Sequence, residues 1–234
     1  MLKILDEIQK NLLNALFPVF CNGCNKLLLK NENVICTKCL HHLPLTHHHT
    51  IKNTEIDQTF YGLVPFEFGA AILYFNKKGI SQNLIHNLKY RNRQEIGTYL
   101  GDLYAKELSN IETIKTIDYI IPVPLHQKRF YERGYNQVTT FCKAIEKNLD
   151  ITVLDDVLVK NKNLKSVTDK SREGRLEHNK NVFSIENQDK IEGKHILIVD
   201  DVFTTGATIE ACAKEILKIK NTKISILTMA YSQS

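Results

Sequence analysis

Ile196-Leu197-Ile198-Val199-Asp200-Asp201-Val202-Phe203-Thr204-Thr205-Gly206-Ala207-Thr208 is the stretch from which the rest of the chain is read. Its four leading apolar residues, three of them β-branched, predict a strand buried on both faces, the pattern of a parallel sheet in an α/β domain. Two carboxylates stand where that strand is expected to end. Thr204, Thr205 and Gly206 then form a short turn, and Ala207 to Ile219 carries helical periodicity through Ile209, Cys212, Ala213, Ile216 and Leu217. Ligands of open α/β sheets bind at this carboxyl edge.

The turn suits a phosphate. Backbone N–H groups at a helix N-terminus lack partners and sit at the positive end of the macrodipole. Gly206 permits close backbone approach or a positive φ, and the hydroxyls of Thr204, Thr205 and Thr208 add donors. Asp200 and Asp201 would repel that anion. They suit the vicinal hydroxyls of a ribose and help to hold a divalent cation. A phosphate on one side and a diol on the other describe a ribose 5-phosphate, the alternative being a buried strand and capped helix with no ligand. The run resembles the fingerprint of type I phosphoribosyltransferases. That resemblance implies that Thr204, Thr205, Gly206, Ala207 and Thr208 hold the 5-phosphate of phosphoribosyl pyrophosphate (PRPP), and that Asp200 and Asp201 contact its ribose.

The 234 residues suffice for one α/β domain and a small module. With 43% hydrophobic and 24% charged residues the composition is that of a globular protein. A formal charge of +5 and a pI near 8.8 suit phosphorylated ligands or nucleic acid without requiring either. No segment reaches the roughly 18 uninterrupted apolar residues of a membrane span. Met1 to Phe20 reads as an amphipathic helix whose charges interrupt any signal-peptide core. It packs on the body or docks on a membrane surface or partner, so a cytoplasmic protein is expected, with a peripheral position at the inner face of the membrane as the variant.

Cys21-Asn22-Gly23-Cys24 and Cys36-Thr37-Lys38-Cys39 are separated by eleven residues. Two such knuckles can wrap four thiolates around one structural Zn²⁺. Disulfides are the other reading, and they require an oxidising compartment. Cys142 and Cys212 fall on apolar helical faces and are expected in the core. His41, His42, His47, His48 and His49 could bind a transition metal adventitiously and are expected in a solvated linker. The polar run Thr46–Thr59 is expected to separate an N-terminal helix and zinc-ribbon module, residues 1–50, from a main domain, residues 60–234.

In the main domain the pattern predicts a strand or hairpin arm over Ala70–Phe75, a helix from about Gly79 ending in a cation cluster at Lys89, Arg91 and Arg93, and a helix over Gln94–Leu108. The cluster suits the helix dipole or a phosphate. Ile117 to Pro124 predicts a buried strand closed by prolines. Beyond it Lys128, Arg129 and Arg133 make a cationic loop suited to a pyrophosphate, with a solvated basic loop as the alternative. Val138–Asn148 reads as a helix and Val153–Lys160 as a strand.

The four-cysteine module, Leu88-Lys89-Tyr90, Pro122-Val123-Pro124-Leu125 with Arg129 and Arg133-Gly134-Tyr135-Asn136-Gln137, and the terminal fingerprint resemble, in that order, the ComF family. These phosphoribosyltransferase-like proteins are associated with natural competence and DNA uptake. The resemblance implies a zinc ribbon followed by a type I phosphoribosyltransferase fold, with a pyrophosphate loop containing Pro124, Lys128, Arg129 and Arg133. It also implies catalysis by Asp200, Asp201, Arg129 and Arg133 with Mg²⁺. From Lys162 to Asn179 the chain departs from the family pattern: Leu164 and Val167 stand where a mobile loop carries Thr and Gln, while Arg175 and Asn179 match a downstream element loosely.

Two functions follow. One is a Mg²⁺-dependent phosphoribosyltransferase acting on an acceptor the sequence does not name. The other is a PRPP-binding sensor or scaffold that contacts competence-machinery proteins or single-stranded DNA. Tyr61, Tyr90, Tyr131 and Tyr135 stand near basic residues and can stack on bases, or serve only in packing.

Overall fold

The computed structural model describes residues 18–161 and 182–232. Most of the expected N-terminal helix and the expected mobile loop, including Leu164, Val167, Arg175 and Asn179, lie outside them. A five-stranded parallel sheet has the order β1-β7-β6-β2-β3. Its strands are β1 (Gly69–Tyr74), β2 (Tyr119–Pro122), β3 (Thr152–Val153), β6 (His195–Phe203) and β7 (Lys223–Tyr231). Helices cover both faces, as the chain order of strands and helices requires.

The central strand β6 shows why its sequence is a continuous apolar run. Leu197 and Val199 enter the core cluster on one face, and Ile196 and Ile198 the cluster on the other. The first face packs α3 (Ile80–Tyr90), α4 (Glu95–Leu108) and α7 (Thr139–Leu149) through Leu84, Leu88, Leu100, Phe141 and Ile145. The opposite face packs α2 (Glu55–Phe60) and α8 (Ala207–Ile216) through Ile56, Phe60, Ile209 and Cys212. Cys142 and Cys212 are fully buried, as core residues should be.

Several expectations need correction. β6 does not stop at Val199: its ladder with β7 continues through Asp200, Val202 and Phe203, so the acidic pair lies inside the strand. The Val153–Lys160 strand is two. β3 joins the main sheet, the chain bends at Asp155 and Asp156, and β4 (Leu158–Lys160) pairs antiparallel with β5 (Phe183–Ile185). Asp156 fixes that bend through Lys190 and Asn187. The helix after Gly206 ends at Ile216 rather than Ile219.

Nor is the histidine-rich segment a solvated linker. Leu45 bridges Leu73, Thr46 N–H donates to the Ile72 carbonyl and Tyr74 N–H to that of Pro44, extending the sheet edge beyond β1. His48 is 2% exposed, stacks edge-on against Tyr74 and Tyr231, and brings Nε2 within 3.0 Å of Glu55. His49 bonds to the Tyr104 hydroxyl at 3.0 Å. His41, His42 and His47 remain exposed. Within 46–59 a Thr54–Asp57 capping box starts α2, whose Ile56 and Phe60 are buried. Cys21, Val34, Ile35, Cys39 and Leu43 share a core with Ile72 and Leu84, so the cysteine module packs on the first face of the sheet.

α4 and α7 approach closely at Gly101. A Cβ there would stand 2.6 Å from the Ala144 Cβ and 2.9 Å from the Phe141 carbonyl oxygen. Gly101→Ala is therefore expected to destabilise the fold by about 1–3 kcal/mol, despite alanine's better helix propensity. Urea denaturation checks this; an unchanged or raised midpoint would contradict the close crossing.

Candidate functional site

The carboxyl ends of β6 and β2 carry the site. After Phe203 the chain turns through Thr204 and Thr205, both exposed, to Gly206 at φ +77°. That left-handed conformation is one reason the position takes glycine. Space is the other: a Cβ would meet the Phe203 ring at 2.9 Å and the Phe60 ring at 3.1 Å. Gly206 is the N-cap of α8 and supplies no side-chain cap, and Ala207 and Thr208 stand exposed in the first turn. Thr204, Thr205, Gly206, Ala207 and Thr208 thus surround a helix start whose N-cap makes no side-chain bond and whose Ala207 N–H has only a long contact to Thr205 Oγ1 at 3.5 Å, the arrangement that attracts anions.

On the neighbouring strand, β2 ends at Pro122, and Val123 N–H still donates to Val199 O at 2.8 Å. Pro124 is half-buried. The cationic segment beyond it contains a short helix, α6 (Gln127–Arg133), where a loop was expected. His126 caps it by accepting from Lys128 N–H, and Gly134 at φ +78° ends it. Lys128 and Arg129 are exposed on this turn of helix. Arg133 points back toward β6.

A polar chain joins the two edges. Arg133 Nη1 donates to Gln137 Oε1 at 2.7 Å, and the buried Gln137 donates through Nε2 to Asp201 Oδ2. Lys89 Nζ, from the last turn of α3, lies 2.9 Å from the same Asp201 oxygen. The Arg133 guanidinium also covers the Tyr90 ring at 5.0 Å. Lys89, Tyr90, Arg91, Asn92, Glu132, Arg133 and Tyr135 line a cleft of about 270 Å³ beside this chain.

Asp200 accepts from the Asp201 backbone N–H at 2.8 Å. Burial, and secondly the Asp201 charge, push its carboxyl up to about 7; the Asp201 N–H, Lys89 and Lys160 oppose the rise. Lys160, at the end of β4, lies 5.0 Å over the Phe183 ring, and burial lowers its pKa. Residue-by-residue reading singled out neither Lys160 nor Gln137, and left Lys89 between a helix-dipole and a phosphate-facing role. Lys89 faces a carboxylate. The one sequence signal for this was the Leu88-Lys89-Tyr90 segment. Among the tyrosines, Tyr61, Tyr90 and Tyr131 are exposed, whereas Tyr135 donates its hydroxyl to Leu88 O.

The four cysteines of the N-terminal module converge. Their sulfurs all lie within 4.8 Å of one another, with Cys24 Sγ 3.7 Å from Cys36 Sγ. A tetrahedron with Zn–S bonds of about 2.3 Å has edges of about 3.8 Å, so the set fits a four-thiolate metal site. Backbone N–H groups of Gly23 and Cys36 point at Cys21 Sγ, and that of Cys39 at Cys36 Sγ, as befits thiolate ligands. Among the described residues no helix is long and apolar enough to cross a membrane.

Residues 139–234 match the family model described as the phosphoribosyl transferase domain. The DNA utilization protein YhgH of Escherichia coli K12 is 26% identical over 201 residues, covering 85% of this chain and 84% of that protein. Competence protein F of Haemophilus influenzae is 28% identical over 151 residues, 63% of this chain and 66% of its own. Competence protein ComFC of Bacillus subtilis is 24% identical over 214 residues, 91% of this chain and 84% of its own.

The raised Asp200 pKa has a consequence for stability. Between 3.8 and about 7 the folded state binds a proton that the unfolded state has released, so this carboxyl favours folding at low pH and loses that advantage as pH rises through 7. Asp200→Asn is expected to melt above the natural protein at about pH 8, with the gap closing toward about pH 4. Equal melting temperatures across that range would contradict the buried, charge-repelled carboxyl.

Proposed function

We propose that the chain, whose relatives and phosphoribosyl transferase domain match support membership of the ComF family of type I phosphoribosyltransferase-like proteins, binds PRPP at the carboxyl edge of β6 and β2 and transfers its phosphoribosyl group to an acceptor, releasing pyrophosphate. The observation that carries this reading is the start of α8, without a side-chain bond at its N-cap, ringed by exposed Thr204, Thr205 and Thr208 and formed around a sterically required Gly206, next to a carboxylate pair in the same strand.

In this reading the N–H groups of Gly206 and Ala207 and the threonine hydroxyls hold the 5-phosphate. Asp200 and Asp201 orient the ribose hydroxyls. Lys128, Arg129 and Arg133 receive the pyrophosphate, and Pro124 sets the direction in which that segment leaves β2. The reaction breaks the bond from ribose C1 to a pyrophosphate oxygen and joins C1 to the acceptor nucleophile. Most of the protein's contribution is orientation and charge placement, with Arg129 and Arg133 stabilising the leaving anion. The hard carboxylate oxygens of Asp200 and Asp201 suit Mg²⁺, which would supply charge neutralisation when bound with PRPP.

The cysteine quartet is assigned to a structural Zn²⁺, because all four ligand positions are protein sulfurs. That chemistry needs reduced thiols, which agrees with a cytoplasmic protein, docked at the inner membrane face if the N-terminal segment binds lipid. The names of the relatives support a role in DNA utilisation and competence. Exposed Tyr90, under the Arg133 guanidinium, and exposed Tyr131, between Arg129 and Arg133 in sequence, favour contact with single-stranded DNA as acceptor or partner. A second reading, a PRPP sensor or scaffold for competence-machinery proteins, is favoured by the departure of residues 162–179 from the family pattern.

Calorimetric titration with PRPP and Mg²⁺ should show saturable binding by the natural protein. The Asp200→Asn, Asp201→Asn double variant should stay folded and bind at least about tenfold more weakly, about 1.4 kcal/mol. Unchanged affinity in the folded variant would contradict the ribose assignment. Pyrophosphate release dependent on a nucleobase or single-stranded DNA supports transfer; binding without release supports the sensor. Metal analysis should find one zinc per chain, lost on Cys36→Ser and Cys39→Ser together; a zinc-free protein purified without chelator would remove that assignment.

A further inference from the structure

Helix α3 connects the cysteine module to the acidic pair. At the module, Asn83 Nδ2 donates to the Gly23 carbonyl at 2.7 Å and Asn87 Nδ2 to the Asn22 carbonyl at 3.0 Å. Both acceptors belong to the first knuckle, between Cys21 and Cys24. Two residues beyond Asn87, Lys89 places Nζ 2.9 Å from Asp201 Oδ2. The Leu88 carbonyl is held by the Tyr135 hydroxyl, so the last turn of α3 is fixed from both sides.

The ion pair it delivers is poorly solvated: the Lys89 side chain is 20% exposed and that of Asp201 10%. In such a setting a carboxylate left without its cation is costly, far more than at the surface. Asp201 also follows another carboxylate in sequence, and Gln137 brings it a hydrogen bond but no charge. Lys89 is therefore the one cation that meets Asp201 among the described residues, and it holds that carboxylate in one orientation.

We propose that Lys89 is a positioning residue for the acidic pair, and that Asn83 and Asn87 hold it there by locking α3 to the first cysteine knuckle. The cysteine module thereby sets the geometry of the ribose-binding carboxylates, a role that rests on the ribose reading of Asp200 and Asp201. It is more than a stabilising appendage.

The test is a double-mutant cycle read as PRPP·Mg²⁺ dissociation constants on folded, full-length protein. Lys89→Met should weaken binding about tenfold, and Lys89→Arg should restore most of it. Asn83→Ala with Asn87→Ala should weaken binding about threefold in the natural background and not at all in the Lys89→Met background, because the effect runs through Lys89. Natural affinity in Lys89→Met, or an undiminished asparagine effect there, would overturn the proposal while the ribose reading stands. If the natural protein binds no PRPP, the ribose reading fails instead. A ligand-free measurement then decides the positioning claim: the Lys89 ammonium should give a slowly exchanging ¹⁵N-detected signal that is lost in the Asn83→Ala, Asn87→Ala variant. Its absence in the natural protein, or its persistence in the variant, would overturn the claim.

Discussion

A carboxylate carried inside a parallel sheet must be met by a cation and by donors, or its desolvation costs several kcal/mol. Asp201, 7% exposed in the central strand, is in that position. Lys89 meets it from α3 and Gln137 from the segment just before α7. Much of the architecture is arranged to keep these partners in place. Tyr135 ties the segment before α7 to α3, and the two asparagines tie α3 to the cysteine knuckle. The ladder with β7 fixes the position of Asp200 opposite Thr228.

This arrangement also explains how opposite charges share one edge. The acidic pair and the anion-attracting turn are successive segments of the same strand-to-helix passage, yet they need different ligand groups. Pairing Asp201 with Lys89 and leaving Asp200 with a pKa near 7 reduces the negative field beside the helix start. The exposed Lys128 and Arg129 on α6 add positive potential from the neighbouring strand. The edge thus carries carboxylates on β6 and exposed cations on α6, a distribution that supports the proposed sugar-phosphate ligand.

Much of the fold was legible because burial on both faces writes itself as an apolar run. Ile196–Val199, Ile117–Pro124 and Ala70–Phe75 each became strands of one sheet, and the periodic runs between them became helices. Boundaries were harder where polar residues sit inside elements. Asp200 and Asp201 looked like the end of a strand because carboxylates are rare in sheet interiors, and the groups that meet Asp201 there, Lys89 and Gln137, come from distant elements. His48 looked like part of a solvated tether for a similar reason: its burial depends on Glu55, Tyr74 and Tyr231, the last of these 183 positions away. In the site, hydroxyls, glycine and carboxylates in one short stretch were readable locally. Lys89, Gln137 and Lys160 were not, since each acts on a partner from another element.

The most direct measurement is a crystal structure of the full chain grown with PRPP and Mg²⁺. The account predicts the 5-phosphate against the N–H groups of Gly206 and Ala207 and the Thr204–Thr208 hydroxyls, the ribose hydroxyls at Asp200 and Asp201, and the pyrophosphate toward Arg129 and Arg133. A phosphate bound elsewhere on the protein, with the start of α8 holding only water, would contradict it.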